Sequence, residues 1–161
     1  MDSSALEAKL KSLAGEQQQK IMLTALRAGG KVFKKAVLEN TPERVPMPND
    51  AKSTALPPGA LKSDIMLRKK PNRMEYDVRF GNQTAHVARW VDEGHRLVRG
   101  GRSRTRKKDG KLVGVSGPGK VIGNVPGTGF FRKSFEEAQT EAAKAVEETF
   151  VAAVNKKWKG I

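Results

Sequence analysis

The sequence predicts an α+β protein, with N-terminal helices and a long C-terminal helix packed on a small, mainly antiparallel sheet that carries a long basic hairpin or loop. Three observations predict it. Apolar residues recur at helical spacing near both ends, over 16–40 and again over 134–159. In the middle, Met74, Tyr76, Val78 and Phe80 alternate with Glu75, Asp77 and Arg79, which marks a strand with one buried face. The order helix, helix, strands, hairpin, helix is not the alternation of a parallel βαβ fold.

Taken in order, residues 4–14 read as a short helix within an N-terminal segment 1–15. Ser4 and Glu7 form a capping box, and Leu6, Leu10 and Leu13 make a stripe that must dock on something. The helix over 16–40 presents Met22, Ala25, Leu26, Gly29, Val32, Phe33, Ala36 and Val37 on one face. Gly29 and Gly30 each weaken a helix by about 1 kcal/mol relative to alanine. A continuous helix with close packing at Gly29 is preferred over a break at the pair. Thr41-Pro42 ends the helix, because the residue before proline is steered out of the helical region.

Residues 42–60 hold Pro42, Pro46, Pro48, Pro57 and Pro58 and read as an extended loop. The sheet region spans 61–94, with a first strand near Ile65, a turn at Pro71-Asn72 and the alternating strand above. Residues 84–92 fit either a helix, through Val87, Trp90 and Val91, or a strand, through Val87, Arg89 and Val91; helix is preferred. Trp90 is expected to lie buried against the final helix near Phe135 or Ala138. That helix is expected to start at Ser134, which forms a capping box with Glu137, and to bury Phe135, Ala138, Ala142, Ala145, Val146, Thr149, Phe150, Ala153 and Val154.

The arm over 95–127 is the most distinctive segment. It carries Arg96, Arg99, Arg102, Arg104, Arg106, Lys107, Lys108, Lys111 and Lys120 against one acid, Asp109. Over half of the chain's net charge of +14 therefore lies in one short stretch. Such localisation favours an acidic protein surface or a polyanion as partner, where a merely solvated loop is the alternative. Leu97-Val98 and Leu112-Val113 flank the tip, Asp109-Gly110 suits a hairpin turn, and residues 121–125 suit a returning strand. The apolar pairs tilt the expectation towards a protein interface. The arm has no aromatic residue among its arginines, so base stacking is not expected there, whereas phosphate contact is allowed.

The 161 residues suit a single domain with a real core, but 37% apolar and 6% aromatic content predict a small one. Without cysteine there is no disulfide or thiolate zinc site. No apolar run approaches the roughly 18 residues of a membrane span, and no signal peptide is expected. His86 and His95, with Asp92 and Glu93 between them, are too few to make a convincing metal site. The Gly117-Pro118-Gly119 and Gly127-Thr128-Gly129 pieces read as turns. With no Walker sequence or nucleophile elbow, the sequence argues against an enzyme and implies no cofactor.

Three blocks in order carry a resemblance. The first is A-L-R-A-G-G-K-V-F-K-K-A, which in relatives leads into an alanine-proline step, here Thr41-Pro42. The second is P-P-G-A-L-K-S-D-I, similar to Thr-Gly-x-Leu-x-x-Ser-Ile with Pro58 where threonine is usual. The third pairs W-V-D-E-G-H with Val-Glu-Phe-Gly-Thr, and G-F-F-R-K-S-F-E-E with Pro-Phe-Leu-Arg-Pro-Ala-Phe-Glu. Together they resemble the tail-component or tail-completion (neck) family of long-tailed bacteriophages, over about residues 16–150. The matching positions include Gly59, Leu61, Trp90, Val91, Asp92, Gly94, Phe130 and Phe131. Asp92, Glu93, Gly129 and Lys133 depart from the family pattern, and residues 43–54 look like an insertion. The resemblance implies a structural virion protein, assembled in the host cytoplasm into a ring of six in the neck or tail end. Its implied partners are its own copies, other neck and tail proteins, and packaged DNA passing through the lumen, but no membrane. The alternative is a non-specific nucleic-acid-binding protein that uses residues 96–120.

Overall fold

The helix over the first stripe is unbroken. In the computed structural model, α1 runs Gly15–Asn40 and buries Ile21, Ala25, Gly29 and Val37, a four-residue recurrence that makes one ridge. It stops where the proline demands: the Thr41 amide and hydroxyl both donate to the Val37 carbonyl, at 2.9 and 2.5 Å, which caps the last turn. The structure describes residues 4, 7, 11, 15–44, 56–99, 104–108, 111–115 and 119–158, of which 104–108 and 111–115 are described in their backbone. Ser4, Glu7 and Lys11 are helical; Leu6, Leu10, Leu13, Pro46 and Pro48 lie outside the described residues.

The chain divides into two compact units, Met1–His86 with Phe130–Ile161, and Val87–Gly129. In the first, α1 pairs with the C-terminal helix, Phe130–Trp158, here α4. The helices run antiparallel, since Ile21 clusters with Val154, Gly29 meets Ala142 and Val146, and Ala36 meets Ser134. A short helical turn, α2, Ala60–Ser63, leads from Gly59, whose φ of 77° is left-handed, into β1, Ile65–Lys69. β1 pairs antiparallel with β2, Tyr76–Phe80, from Ile65↔Phe80 to Lys69↔Tyr76. Both strands pack on α1, and Asn72 takes a left-handed φ of 59° in the turn between them. Five phenylalanines make a chain of ring contacts: Phe33 meets Phe131 and Phe135 edge-to-face, and Phe80 meets Phe130 edge-to-face and Phe131 at a tilt, at centroid separations of 5.5–6.4 Å. The core is thin, as the composition implies. Among the described residues of this unit, its buried apolar members are Ile21, Ala25, Val37, Ile65, Phe130, Ala138 and Val154.

The ambiguous segment is a helix, α3, Ala85–Glu93. Its start is tied down by Asp64, which accepts from the Thr84 hydroxyl at 2.6 Å and, through its carbonyl, from the Gly81 amide at 3.1 Å. In the second unit follow β3, Gly94–Arg99; β4, Arg104–Lys108; β5, Lys111–Val115; and β6, Lys120–Pro126. β3 pairs with β6 and β4 with β5, each antiparallel, so the described residues form three separate two-stranded ladders.

Three expectations need correction. The C-terminal helix begins at Phe130, about one turn before Ser134. Ser134 is thus an interior residue, fully buried, with its hydroxyl turned to the Phe130 carbonyl at 2.7 Å and the Ala36 carbonyl at 3.3 Å. Phe135 is 53% exposed, on the flank of the helix seam rather than within it. Trp90 is 50% exposed and so is not a core residue.

Candidate assembly interface

The second unit is built around one tight crossing. α3 ends with carbonyls that no later helical amide can reach, and the returning chain reaches them instead. The Thr128 amide and hydroxyl donate to the Val91 carbonyl at 2.9 and 3.0 Å, and the Gly129 amide donates to the Asp92 carbonyl at 3.0 Å. Glycine is needed on both passages. Gly94 has φ 83°, and a β-carbon there would lie 2.5 Å from the Val125 carbonyl oxygen and 2.7 Å from the Gly127 nitrogen. A β-carbon on Gly127 would collide with the Asp92 carbonyl and lie 2.7 Å from the Gly94 nitrogen. Backbone bonds thus bring 91–94 together with 127–129. Sequence reading placed these two stretches in one motif region but missed the crossing, whose only signal was the density of glycines after residue 93.

From that crossing β3 and β6 project as a ribbon, in register from Gly94↔Pro126 to Arg99↔Lys120, with a bulge opposite Leu97/Val98. Along β3, His95, Leu97 and Arg99 share one face, joined by Val125 and Lys120 from β6; Arg96, Val98 and Val121 share the other. Leu97, Val98, Val121, Ile122 and Val125 are all exposed, Ile122 by 59%. Arg99 stands directly opposite Lys120, and like charges so placed are unfavourable unless an anion lies near. Trp90 stacks at a tilt on His95, with ring centroids 5.7 Å apart, and the His95 Nδ1 is buried with no hydrogen-bond partner among the described residues. On α3, Arg89 donates to Glu93 at 2.8 Å, a hydrogen bond that raises the guanidinium pKa further.

The nine basic positions therefore divide. Arg96, Arg99 and Lys120 are exposed on the β3–β6 ribbon. Arg104, Arg106, Lys107 and Lys108 lie on β4 and Lys111 on β5, with Lys108 opposite Lys111 in the register. Arg102 and the Asp109-Gly110 turn lie outside the described residues. Leu97-Val98 and Leu112-Val113, expected to flank one hairpin, belong to two different ladders. Of the motif positions, Gly59 supplies a left-handed turn, Leu61 is half-buried on α2, and Val91, Asp92 and Gly94 form the crossing just described. Phe130 is buried, and Phe131 is half-buried within the phenylalanine chain.

Among the described residues, no group of three or more His, Asp or Glu side chains is placed to hold a metal ion. No helix among them is long and apolar enough to cross a membrane. No curated protein and no solved structure matches the chain. Residues 4–94 match the family described as "Bacteriophage HK97-gp10, putative tail-component". The matched residues end where β3 begins, so Phe130, Phe131 and the arm lie beyond them. The match covers more than half of the sequence, and the chain belongs to this bacteriophage tail-component family.

Proposed function

We infer that this chain is a structural virion protein of the neck or tail-completion region, assembled in the host cytoplasm into a ring of six that joins tail to head and lets DNA pass. Family membership supports the tail-component part of this reading. The observation that carries the rest is the β3–β6 ribbon, a two-stranded element with its five large aliphatic residues exposed. An isolated two-stranded ribbon is marginal in water, so these residues suit a subunit completed by its neighbours. The small core of the helical unit is consistent with the same economy. The basic residues of the arm, Arg96 to Lys120, then contact neighbouring protein, packaged DNA, or both.

The experiment is complementation with Arg102, Arg104 and Arg106 neutralised together. This variant is expected to keep its thermal melt while producing few particles with tails joined to heads. A normal yield of tailed, infectious particles would contradict the proposed role of the arm. The second reading, a free nucleic-acid-binding protein, is favoured by the +8 of the arm (nine bases less Asp109). Light scattering after size exclusion separates the two. A ring-former gains mass without DNA, whereas a DNA-binding protein stays monomeric until short duplex is added.

A further inference from the structure

The two ribbon faces each set aliphatic residues beside cations: Leu97 and Val125 beside Arg99 and Lys120, and Val98 and Val121 beside Arg96. A surface that covers the ribbon well is therefore apolar at its centre and acidic at its edge. The helical unit carries such a surface. Along one side of the α1–α4 seam lies a shallow groove of about 130 Å³, whose lining includes Val32, Ala36 and Ala138. Glu39, Glu137 and Glu141 stand around it, with Lys35 as the one cation. Lys35 lies 3.9 Å from Glu39, and Glu137 accepts from Asn40 at 2.6 Å and lies 3.7 Å from Lys133. No ion pair holds Glu141 among the described residues. The acidity continues along α4: from 134 to 155 it has five glutamates and one lysine, in a chain whose net charge is +14.

We propose that the β3–β6 ribbon of one copy docks on the α1–α4 groove of a second copy. The face that carries Leu97, Val125, Arg99 and Lys120 is the one that docks: Arg99 and Lys120 then face Glu39, Glu137 and Glu141, and Leu97 or Val125 covers Val32 and Ala36. The occupant is a second copy because both halves of the match, an aliphatic-and-basic ribbon and an acidic groove with aliphatic residues in its lining, occur on this one chain. The contact is heterologous, with each copy giving a ribbon and receiving one, which is the kind of contact that builds rings when its rotation closes. The proposal rests on the ring reading above and names the interface that makes the ring. It also relieves the like-charge pair Arg99–Lys120, which the isolated ribbon leaves uncompensated.

Two charge-reversed proteins test it: R99E/K120E on the ribbon and E39K/E137K/E141K on the groove. All five positions are exposed, so both should melt like the wild type. If either melts early, the neutral set (glutamine at the same positions) replaces it, and its weakened assembly alone is then the readout, since neutral surfaces gain nothing on mixing. Mass is read by light scattering at moderate salt. The expected result is assembly by the wild type, at least a tenfold weaker assembly by each variant alone, and recovery of the wild-type mass in an equal mixture of the two. Recovery on mixing requires that the reversed ribbon finds the reversed groove. Wild-type assembly by each single variant, or weakened assembly that mixing does not recover, overturns this interface and leaves the ring reading standing. A wild-type protein that stays monomeric at every concentration overturns both.

Discussion

Gly29 of α1 and Val146 of α4 stand so close that a β-carbon on Gly29 would lie 2.5 Å from Val146 Cγ2 and 3.0 Å from the Ala142 carbonyl oxygen. The carbonyl is part of a helix backbone and cannot yield. Gly30 differs, because a β-carbon there would meet only the end of the Leu67 side chain, 2.7 Å away, which can rotate. Gly29→Leu is therefore expected to destabilise by about 1–3 kcal/mol through overpacking. Gly30→Ala should fall within about 1 kcal/mol of neutral, since the gain in helix propensity offsets the shift of Leu67. Urea denaturation of the two variants gives the ranking, and a costlier Gly30→Ala would contradict the close helix seam.

The crossing of Gly94 and Gly127 predicts a local effect. Gly94→Ala places a side chain at φ 83°, which costs about 1–2 kcal/mol before its clash with the Val125 carbonyl is counted. Hydrogen exchange of the β3 and β6 amides should accelerate in this variant, while α1 and α4 keep their protection. Unchanged exchange in the ribbon would show that the crossing does not organise it.

Ser134 offers a test of the helix start. Buried in the α1–α4 seam with Phe130 and Ala36 as acceptors, it has no room for a larger side chain. Ser134→Leu should cost about 1–3 kcal/mol, and Ser134→Ala only the hydroxyl's hydrogen bond, about 0.5–1.5 kcal/mol. A helix that truly began at Ser134 would reverse this order, because a cap faces solvent and loses most when its oxygen is removed.

Lys70, Glu75 and Asp77 form a small charged cluster at the β1–β2 turn, with Lys70 Nζ 2.8 Å from Glu75 and 3.3 Å from Asp77. The hydrogen bond from Lys70 holds the Glu75 carboxyl below its usual 4.5, and that same bond, helped by Asp77, lifts the Lys70 ammonium above 10.5. The Glu75 contribution is thus present above pH 4.5 and lost as pH falls through its lowered value. The Lys70 contribution is present below pH 10.5 and lost as pH rises through its raised value. Carboxyl NMR titration of Lys70→Met should return Glu75 to its ordinary range; an unmoved midpoint would sink the assignment.

What could be read from the sequence follows the range of the interactions. The 26 residues of α1, the stop at Thr41, the turn at Asn72 and the β2 alternation are set by neighbours a few positions away, and their patterns stand in the chain. The β3–β6 pairing joins Arg99 to Lys120 across a stretch of Arg, Lys and Gly with no clear alternation, so the partner strand could not be chosen from pattern alone. Ser134 misled because S-F-E-E has the form of a capping box, while the true start at Phe130 is held by long-range phenylalanine contacts. Trp90 misled for a related reason. Its apolar neighbours Val87 and Val91 suggest a core, but its ring lies partly open, against His95.

A cryo-electron map of the particle that encodes this chain would show directly whether the subunit sits in a ring at the virion's neck or tail end. The expected density is a closed ring of six copies at the head–tail junction or tail terminus, each copy's β3–β6 ribbon lying on the α1–α4 pair of its neighbour. A particle whose density leaves no place for α1, α4 and the ribbon at that junction would contradict it.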